Sequence, residues 1–241
     1  MRMRSRWRIV MSGSGLVGGD GDHCNCAKER WAQGTNYQCN KEQTLIWTEW
    51  GRLTRFLESA RIAFARESKL WESLELADAT SAKIRTENGK ATYQVTLAQH
   101  RDALSDTWLL NASVLLSYYA LAEAAAADKL GLDDVSYVGG IEAWGERLLD
   151  AAGASWQEVK GGKAGAVEVA VIRNAIAHGN RTYTQRGINR LQAAGAQISI
   201  SPDTPVQLDY TALHEYRARL RSLLRVGQVR GAQGDGADKF S

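Results

Sequence analysis

Apolar residues between positions 42 and 64 recur at alternating steps of four and three, which is the spacing of one helical face. The stripe comprises Ile46, Trp50, Leu53, Leu57, Ala60 and Phe64. It predicts an amphipathic helix that packs against a second helix. A coiled-coil dimer seam has a similar spacing but needs a longer sustained repeat, so we favour a helix of a bundle.

The next segment has the pattern of a β-hairpin followed by helices. Ile84 on one side and Tyr93 and Val95 on the other flank Glu-Asn-Gly-Lys at 87–90, a composition typical of a type I′ hairpin. Residues 97–130 carry apolar and alanine-rich positions at helical spacing and predict one long helix closed by a glycine. A shorter helix is expected over the stripe of Ile141, Trp144 and Leu148.

The last part of the chain predicts two more helices and a second hairpin. Apolar residues at helical spacing define a helix over about 164–178, and Gly179 and Asn180 end it. Residues 197–201 and 206–208 alternate around a proline-containing turn and predict a small hairpin. A closing amphipathic helix carries Leu213, Tyr216, Leu220 and Leu224.

These elements predict a mainly α protein, a helical bundle with one or two small β-hairpins. The first forty residues are rich in glycine and serine and poor in aliphatic residues, so we expect them to be disordered. The predicted organisation is a basic, glycine-rich tail at 1–40, a helix and hairpin at 41–96, a helical core at 97–226 and a polar tail at 227–241.

The net charge of +3 gives no global attraction for polyanions. The first forty residues hold six Lys and Arg against three Asp and Glu, so the remaining chain sums to about zero. One local patch differs, because no acidic residue occurs between Glu168 and Asp203. That interval contains Arg173, His178, Arg181, Tyr183, Arg186 and Arg190. A binding site for an anion is therefore expected there rather than over the whole surface.

The apolar runs predict no membrane span, since none approaches the roughly 18 residues that a transmembrane helix needs. The arginine-rich start of the chain is followed by a segment too weakly apolar for a signal peptide. We therefore expect a cytoplasmic location. Three cysteines agree with a reducing compartment. Cys24 and Cys26 with His23 and Cys39 lack the paired knuckles of a structural zinc site, so we assign no metal to them.

The chemistry of the chain is concentrated at Arg173, Asn174 and His178, inside the helix predicted over 164–178. Asn174 and His178 are four residues apart and share a face, whereas the arginine must reach toward them. RNA cleavage without a metal needs a base, an acid and cations for the charged phosphorus centre. Histidine serves as base and acid, and arginine is matched to phosphate oxygens. Two copies in a twofold dimer would supply the full set.

The arrangement Arg173-Asn174-x-x-x-His178 in an all-α domain resembles the Arg-x4–6-His signature of the HEPN superfamily (higher eukaryotes and prokaryotes nucleotide-binding). The resemblance covers about 97–226, although only the motif itself is specific. It implies a helical bundle that dimerises across the motif helix. It also implies a metal-independent endoribonuclease, without a cofactor, that acts as a toxin or in antiviral defence under an antitoxin or another regulatory partner.

The resemblance also implies roles for single residues. Arg173 and His178 would be catalytic and Asn174 a supporting polar residue, while Glu123 is a candidate for the acidic partner that some members place on an earlier helix. We expect Arg181, Tyr183, Arg186 and Arg190 to hold RNA by stacking and phosphate contacts. Some toxin members carry a tyrosine two residues after the histidine that a nucleotidyltransferase modifies; this chain has Asn180 there.

Two other readings stay open from the sequence. The first is a non-catalytic HEPN-like module that binds RNA, a nucleotide or a protein, because fold and motif do not guarantee turnover. The second is a purely structural helical oligomer, in which the stripe around Trp50 is a partner surface and His178 is an ordinary helix C-terminus. An Arg173 side chain locked in an ion pair away from His178 would favour the structural reading.

Overall fold

The computed structural model describes residues 36–72, 83–88 and 91–229. The chain divides into two compact units, Met1–Tyr37 and Gln38–Ser241, and apart from the first two residues of α1 the described elements lie in the second. The protein is mainly α, as predicted. The elements are α1 (Asn36–Glu72), β1 (Lys83–Asn88), β2 (Ala91–Thr96), α2 (Leu97–Ser105), α3 (Thr107–Leu130), α4 (Ile141–Ala152), α5 (Gly162–Ala177), α6 (Gln185–Ala193) and α7 (Tyr210–Val226).

The core forms where α3 packs against α5 and α7, with α4 closing one side. Helix α3 is apolar around most of its circumference, and Leu115, Tyr118 and Ala122 are fully buried. Its length and composition would suffice to cross a membrane, but 56% of its most apolar stretch is buried inside the protein. That burial is typical of the central helix of a bundle, because a helix without a polar face must be covered by its neighbours.

Helix α1 is longer than the predicted stripe and packs on α3 through aromatic side chains. Trp50 lies 4.6 Å from the ring of Tyr118, and Thr54 Oγ1 is 2.8 Å from the Tyr118 hydroxyl. The helix begins at Asn36, within the predicted N-terminal tail. The rest of the predicted N-terminal tail, residues 1–35, lies outside the described residues.

The predicted helix over 97–130 is two helices. Helix α2 ends at Ser105, and the Asp106 side chain caps α3 by accepting a hydrogen bond from the backbone N–H of Leu109. Aspartate favours this position because its carboxylate satisfies an amide that the first helical turn leaves without a partner. The folded core extends further toward the C-terminus than predicted. Val229 is buried in the core, although the polar tail was predicted to begin at 227.

One of the two predicted hairpins is confirmed. Strands β1 and β2 are antiparallel with Ile84 opposite Val95, and the ladder reaches Asn88 opposite Ala91. The conformation of the turn residues 89–90 lies outside the described residues. The pairing joins the two segments that the sequence predicted to flank the turn.

The second hairpin, predicted for 197–208, is wrong. Residues 203–206 pair instead with the loop that follows α5. The Tyr183 N–H donates to the Thr204 carbonyl at 2.9 Å, and the Val206 N–H donates to the Arg181 carbonyl at 2.9 Å. This pairing places the loop after α5 against the core, and so helps to position the candidate site.

Candidate nucleic-acid site around His178

His178 lies at the surface, directly after the last residue of α5. The His178 N–H closes the last helical turn on the Asn174 carbonyl at 3.0 Å, and the Asn180 N–H reaches back to the Ala175 carbonyl at 3.1 Å. Gly179 adopts φ +72°, the left-handed conformation that favours glycine after a helix. The predicted stop is confirmed, and the imidazole is exposed beyond the buried length of α5.

A groove of about 830 Å³ opens beside this helix end. It lies between the start of α4, the last turns of α5, the loop at 180–184 and the start of α6. Asn174 and His178 line it together, as their spacing of four residues predicts. Its other polar side chains are Glu142, Asn180, Thr182, Thr184, Arg186 and Arg190.

Arg173 lies at the edge of this groove and turns toward α3. Its Nη1 donates to the Asn174 Oδ1 at 2.9 Å, and its Nη2 lies 3.8 Å from the Glu123 Oε2. The guanidinium also lies 5.2 Å from the centre of the Tyr119 ring. The structure thus brings Arg173, Asn174 and Glu123 together. Among the described residues, no hydrogen bond or ion pair joins Arg173 to His178.

The contact between Arg173 and Glu123 is a loose ion pair. Its separation exceeds hydrogen-bond length, and the two side chains are 37% and 31% exposed. Burial raises the pKa of the Glu123 carboxyl, and the nearby Arg173 opposes that rise. Burial likewise raises the pKa of the Tyr119 hydroxyl beside them. Because a guanidinium has five donors, Arg173 keeps hydrogen-bonding capacity for a phosphate that enters from the groove.

Arg190, a predicted RNA contact, is held by a carboxylate. Its Nε and Nη2 donate to the two carboxylate oxygens of Glu142, which joins α6 to the first turn of α4. Burial alone would raise the pKa of Glu142, but the hydrogen bonds from Arg190 outweigh it and lower that pKa. Two of the donors of Arg190 are therefore taken, and Glu142 carries no uncompensated charge into the groove.

Of the other three predicted RNA contacts, the two arginines are exposed and the tyrosine is buried. Arg186 is exposed, lines the groove and forms no ion pair within the described part of the chain. Arg181 is exposed on the loop at 180–184, with its guanidinium 4.2 Å from the ring centre of Trp108. The predicted stacking of RNA on Tyr183 is wrong, because that ring is only 7% exposed and belongs to the core.

Sequence reasoning missed Glu142 and the helical character of 185–193. Glu142 follows the Gly139-Gly140 pair at the start of a helix, but nothing local links it to Arg190. Helix α6 begins at Thr184, whose Oγ1 accepts the Gly187 N–H at 3.1 Å. A Cβ at Gly187 would lie 2.8 Å from Val171 Cγ1, so glycine lets α6 approach α5. The signal for this helix was present in its cap and in the apolar pair Ile188 and Leu191.

No family model, curated protein or solved structure matches this chain. Among the described residues, no group of three histidine, cysteine, aspartate or glutamate side chains is arranged to hold a metal ion. Cys24, Cys26 and His23 lie outside the described residues, as does the side chain of Cys39. The groove presents an exposed imidazole, amides and hydroxyls to a ligand. It also presents one cation, Arg186, that no carboxylate of the described residues neutralises.

Proposed function

We propose that the protein is a metal-independent endoribonuclease of the HEPN type, with its site in the groove around His178. The observation that carries the proposal is that His178, Asn174 and Arg186 line one groove whose carboxylate, Glu142, is already paired. Such a surface suits a phosphodiester, because the phosphate meets cations and hydrogen-bond donors and no uncompensated negative charge. The Arg173 guanidinium donates a hydrogen bond to the side chain of Asn174, which lines the groove.

The proposed reaction is an attack of the 2′ oxygen on the adjacent phosphorus. One histidine removes the 2′-OH proton, the new bond from the 2′ oxygen to phosphorus forms, and the bond from phosphorus to the 5′ oxygen breaks. A second histidine protonates the leaving 5′ oxygen, and arginine stabilises the charged phosphorus centre. The products are a 2′,3′-cyclic phosphate and a free 5′ hydroxyl.

Within the described part of the chain one histidine, His178, lines the groove, so the proposal includes a homodimer that joins two copies of Arg173, Asn174 and His178. A twofold axis beside the exposed end of α5 would bring both imidazoles to one phosphodiester. We further propose that the enzyme acts in the cytoplasm as a toxin or antiviral effector, restrained by an antitoxin or another regulatory partner. Uncontrolled cleavage of cellular RNA would otherwise harm the host.

The test is incubation of the purified protein with total RNA and transfer RNA in EDTA. Wild type is compared with His178→Ala and with His100→Ala, which removes a histidine outside the groove. The proposal predicts 2′,3′-cyclic phosphate ends for wild type and His100→Ala and none for His178→Ala. Cleavage that persists in His178→Ala would refute the assignment. Sedimentation of the same proteins measures whether the active species is a dimer.

A non-catalytic binding module is the second candidate, and one observation favours it. Arg173 contacts Asn174 and Glu123 rather than His178, so the catalytic pair of the motif is not preassembled within one chain. The pair with Glu123 is too loose to lock the guanidinium, so it does not favour the purely structural reading. This function predicts RNA binding that survives His178→Ala, with no cleavage by wild type. Binding and product ends measured on the same samples therefore separate the two candidates.

A further inference from the structure

A second concave site lies on α7, and it is more basic than the groove around His178. It has a volume of about 320 Å³ and shares no lining residue with that groove. We call it the α7 pocket. Its polar lining consists of Lys160, His214, Arg217, Arg221, Ser222 and Arg225. No aspartate or glutamate lines this pocket, so its local potential is positive.

Three arginines of the α7 pocket form a row along one helix. Arg217, Arg221 and Arg225 are spaced four residues apart and therefore share a face. Arg221 is only 8% exposed, and both Arg221 and Arg225 make contacts of their own within the protein. Each step advances about 6 Å along the axis, so the row is about 12 Å long at the backbone. A row of that length extends beyond a single phosphate group. It suits an anion with several charges in sequence, as along a nucleic-acid strand.

Charge compensation within the α7 pocket is incomplete. Lys160 Nζ is 2.6 Å from the Glu215 Oε2, and that carboxylate also receives Arg219 at 3.2 Å. Arg217 forms no ion pair with any described residue, and its guanidinium lies 5.5 Å from the centre of the Tyr118 ring. Its Nε is buried and has no hydrogen-bond acceptor. An anion in the pocket would meet the Nη atoms of this guanidinium, because the buried Nε is closed to solvent.

Neighbouring groups agree with a site for an anion. The Ser222 Oγ accepts the backbone N–H of Lys160 at 2.9 Å, which leaves its own hydroxyl hydrogen to donate. We assign His214 no part in binding the anion, because burial and the positive charge of Arg217 lower its pKa and its Nε2 lies 3.8 Å from the Glu58 Oε1. The pocket thus combines guanidinium groups with a hydroxyl donor, which are the groups that bind phosphate in proteins.

From this arrangement we infer that the α7 pocket binds consecutive phosphates of a nucleic-acid strand, as a site separate from the groove around His178. Arg217 is its central contact, because its charge has no counter-ion among the described residues. The inference goes beyond the proposed function, since it requires no reaction at His178. A strand is favoured over a free phosphate because the arginines form a row rather than a single cradle.

The test measures binding of a fluorescent, fully 2′-O-methylated RNA oligonucleotide by anisotropy over a range of salt concentrations. The probe has no free 2′-OH, so a failed cleavage assay leaves this experiment intact. Arg217→Gln is expected to bind about tenfold more weakly at low salt, as for loss of one charged hydrogen-bonded contact. Its slope of log affinity against log salt should fall by about 0.7, the value for one phosphate of a single strand.

Two further variants make the result specific. Arg217→Lys keeps the charge and should restore most of the affinity and the slope. Arg52→Gln makes the same charge change on α1 at an exposed side chain outside the pocket, and should bind like wild type. If Arg217→Gln lowers the melting temperature, binding by all four proteins is measured at a temperature at which each of them is folded, so that Arg217→Gln is still compared with Arg52→Gln.

Three results would overturn the inference. The first is wild-type affinity and slope for Arg217→Gln, and the second is an equal loss for Arg217→Gln and Arg52→Gln, which would indicate general charge alone. The third comes from competition: inorganic phosphate that displaces the oligonucleotide far better than chloride at matched ionic strength would indicate a site for single phosphates. The inference predicts equal displacement by the two salts.

Discussion

The ion pair between Glu142 and Arg190 is the strongest single link between α4 and α6 at the groove, and its removal has a calculable effect. Both oxygens of Glu142 accept from Arg190, and both side chains are 26% exposed. A charge pair at about 4 Å gains roughly 4 kcal/mol at an effective dielectric constant of about 20 and about 1 kcal/mol in water. Desolvation offsets much of this gain, so we expect a net coupling of about 1.5 kcal/mol.

A double-mutant cycle with Glu142→Gln and Arg190→Gln measures this coupling by urea denaturation at pH 7. The lowered pKa of Glu142 adds a dependence on pH. The stabilisation is fully present above the unfolded-state pKa of about 4.3 and is lost as the pH falls through the lower folded-state pKa. The difference in unfolding free energy between wild type and Glu142→Gln should therefore narrow below about pH 4.

The same substitution changes the charge of the groove. Glu142→Gln releases Arg190 to face a bound strand, so RNA affinity should rise severalfold and its salt dependence should become steeper. A coupling below about 0.3 kcal/mol, within the additivity error of independent sites, would refute the stability argument. Unchanged RNA affinity in Glu142→Gln would show that the strand does not lie in this groove.

Three further substitutions test separate parts of the structure. Arg173→Gln should lower RNA cleavage at least about 100-fold while costing under about 1 kcal/mol in urea denaturation, because its pair with Glu123 is part-exposed; full activity would remove it from the site. Asn111→Ala should cost about 2 kcal/mol, because it leaves the buried Leu208 carbonyl without its 3.0 Å donor; a loss below 0.5 kcal/mol would contradict this. Gly187→Ala should cost about 1–3 kcal/mol by forcing α6 away from Val171, and an unchanged melting temperature would show that the helices can adjust.

The sequence predicted the features that depend on neighbours along the chain. Helix α5 and its end at Gly179 follow from apolar spacing and from the left-handed conformation of the glycine. The hairpin of β1 and β2 follows from the Asn-Gly turn signal between two short strand-like segments. The same spacing placed Asn174 and His178 side by side in the groove.

Where local signals were weak or competed, prediction failed. The helical spacing of apolar residues on both sides of Asp106 concealed the break there, since the capping preference of one aspartate is small beside a helical pattern sustained over 97–130. Residues 206–208 were predicted to pair with 197–201, but Val206 and the turn residues before it pair with the loop after α5. Alternation identifies a strand and does not identify its partner.

By itself the sequence determined the mainly α class, the helical faces and the grouping of Asn174 with His178, because those depend on dihedral preferences and spacing within a few residues. RNA cleavage and the dimer stay predictions. Tertiary structure alone decided that Glu142 neutralises Arg190, that Arg173 turns to Glu123, and that Tyr183 is buried. These outcomes join side chains distant along the chain, and their free energy depends on burial and separation that only the packed helices create.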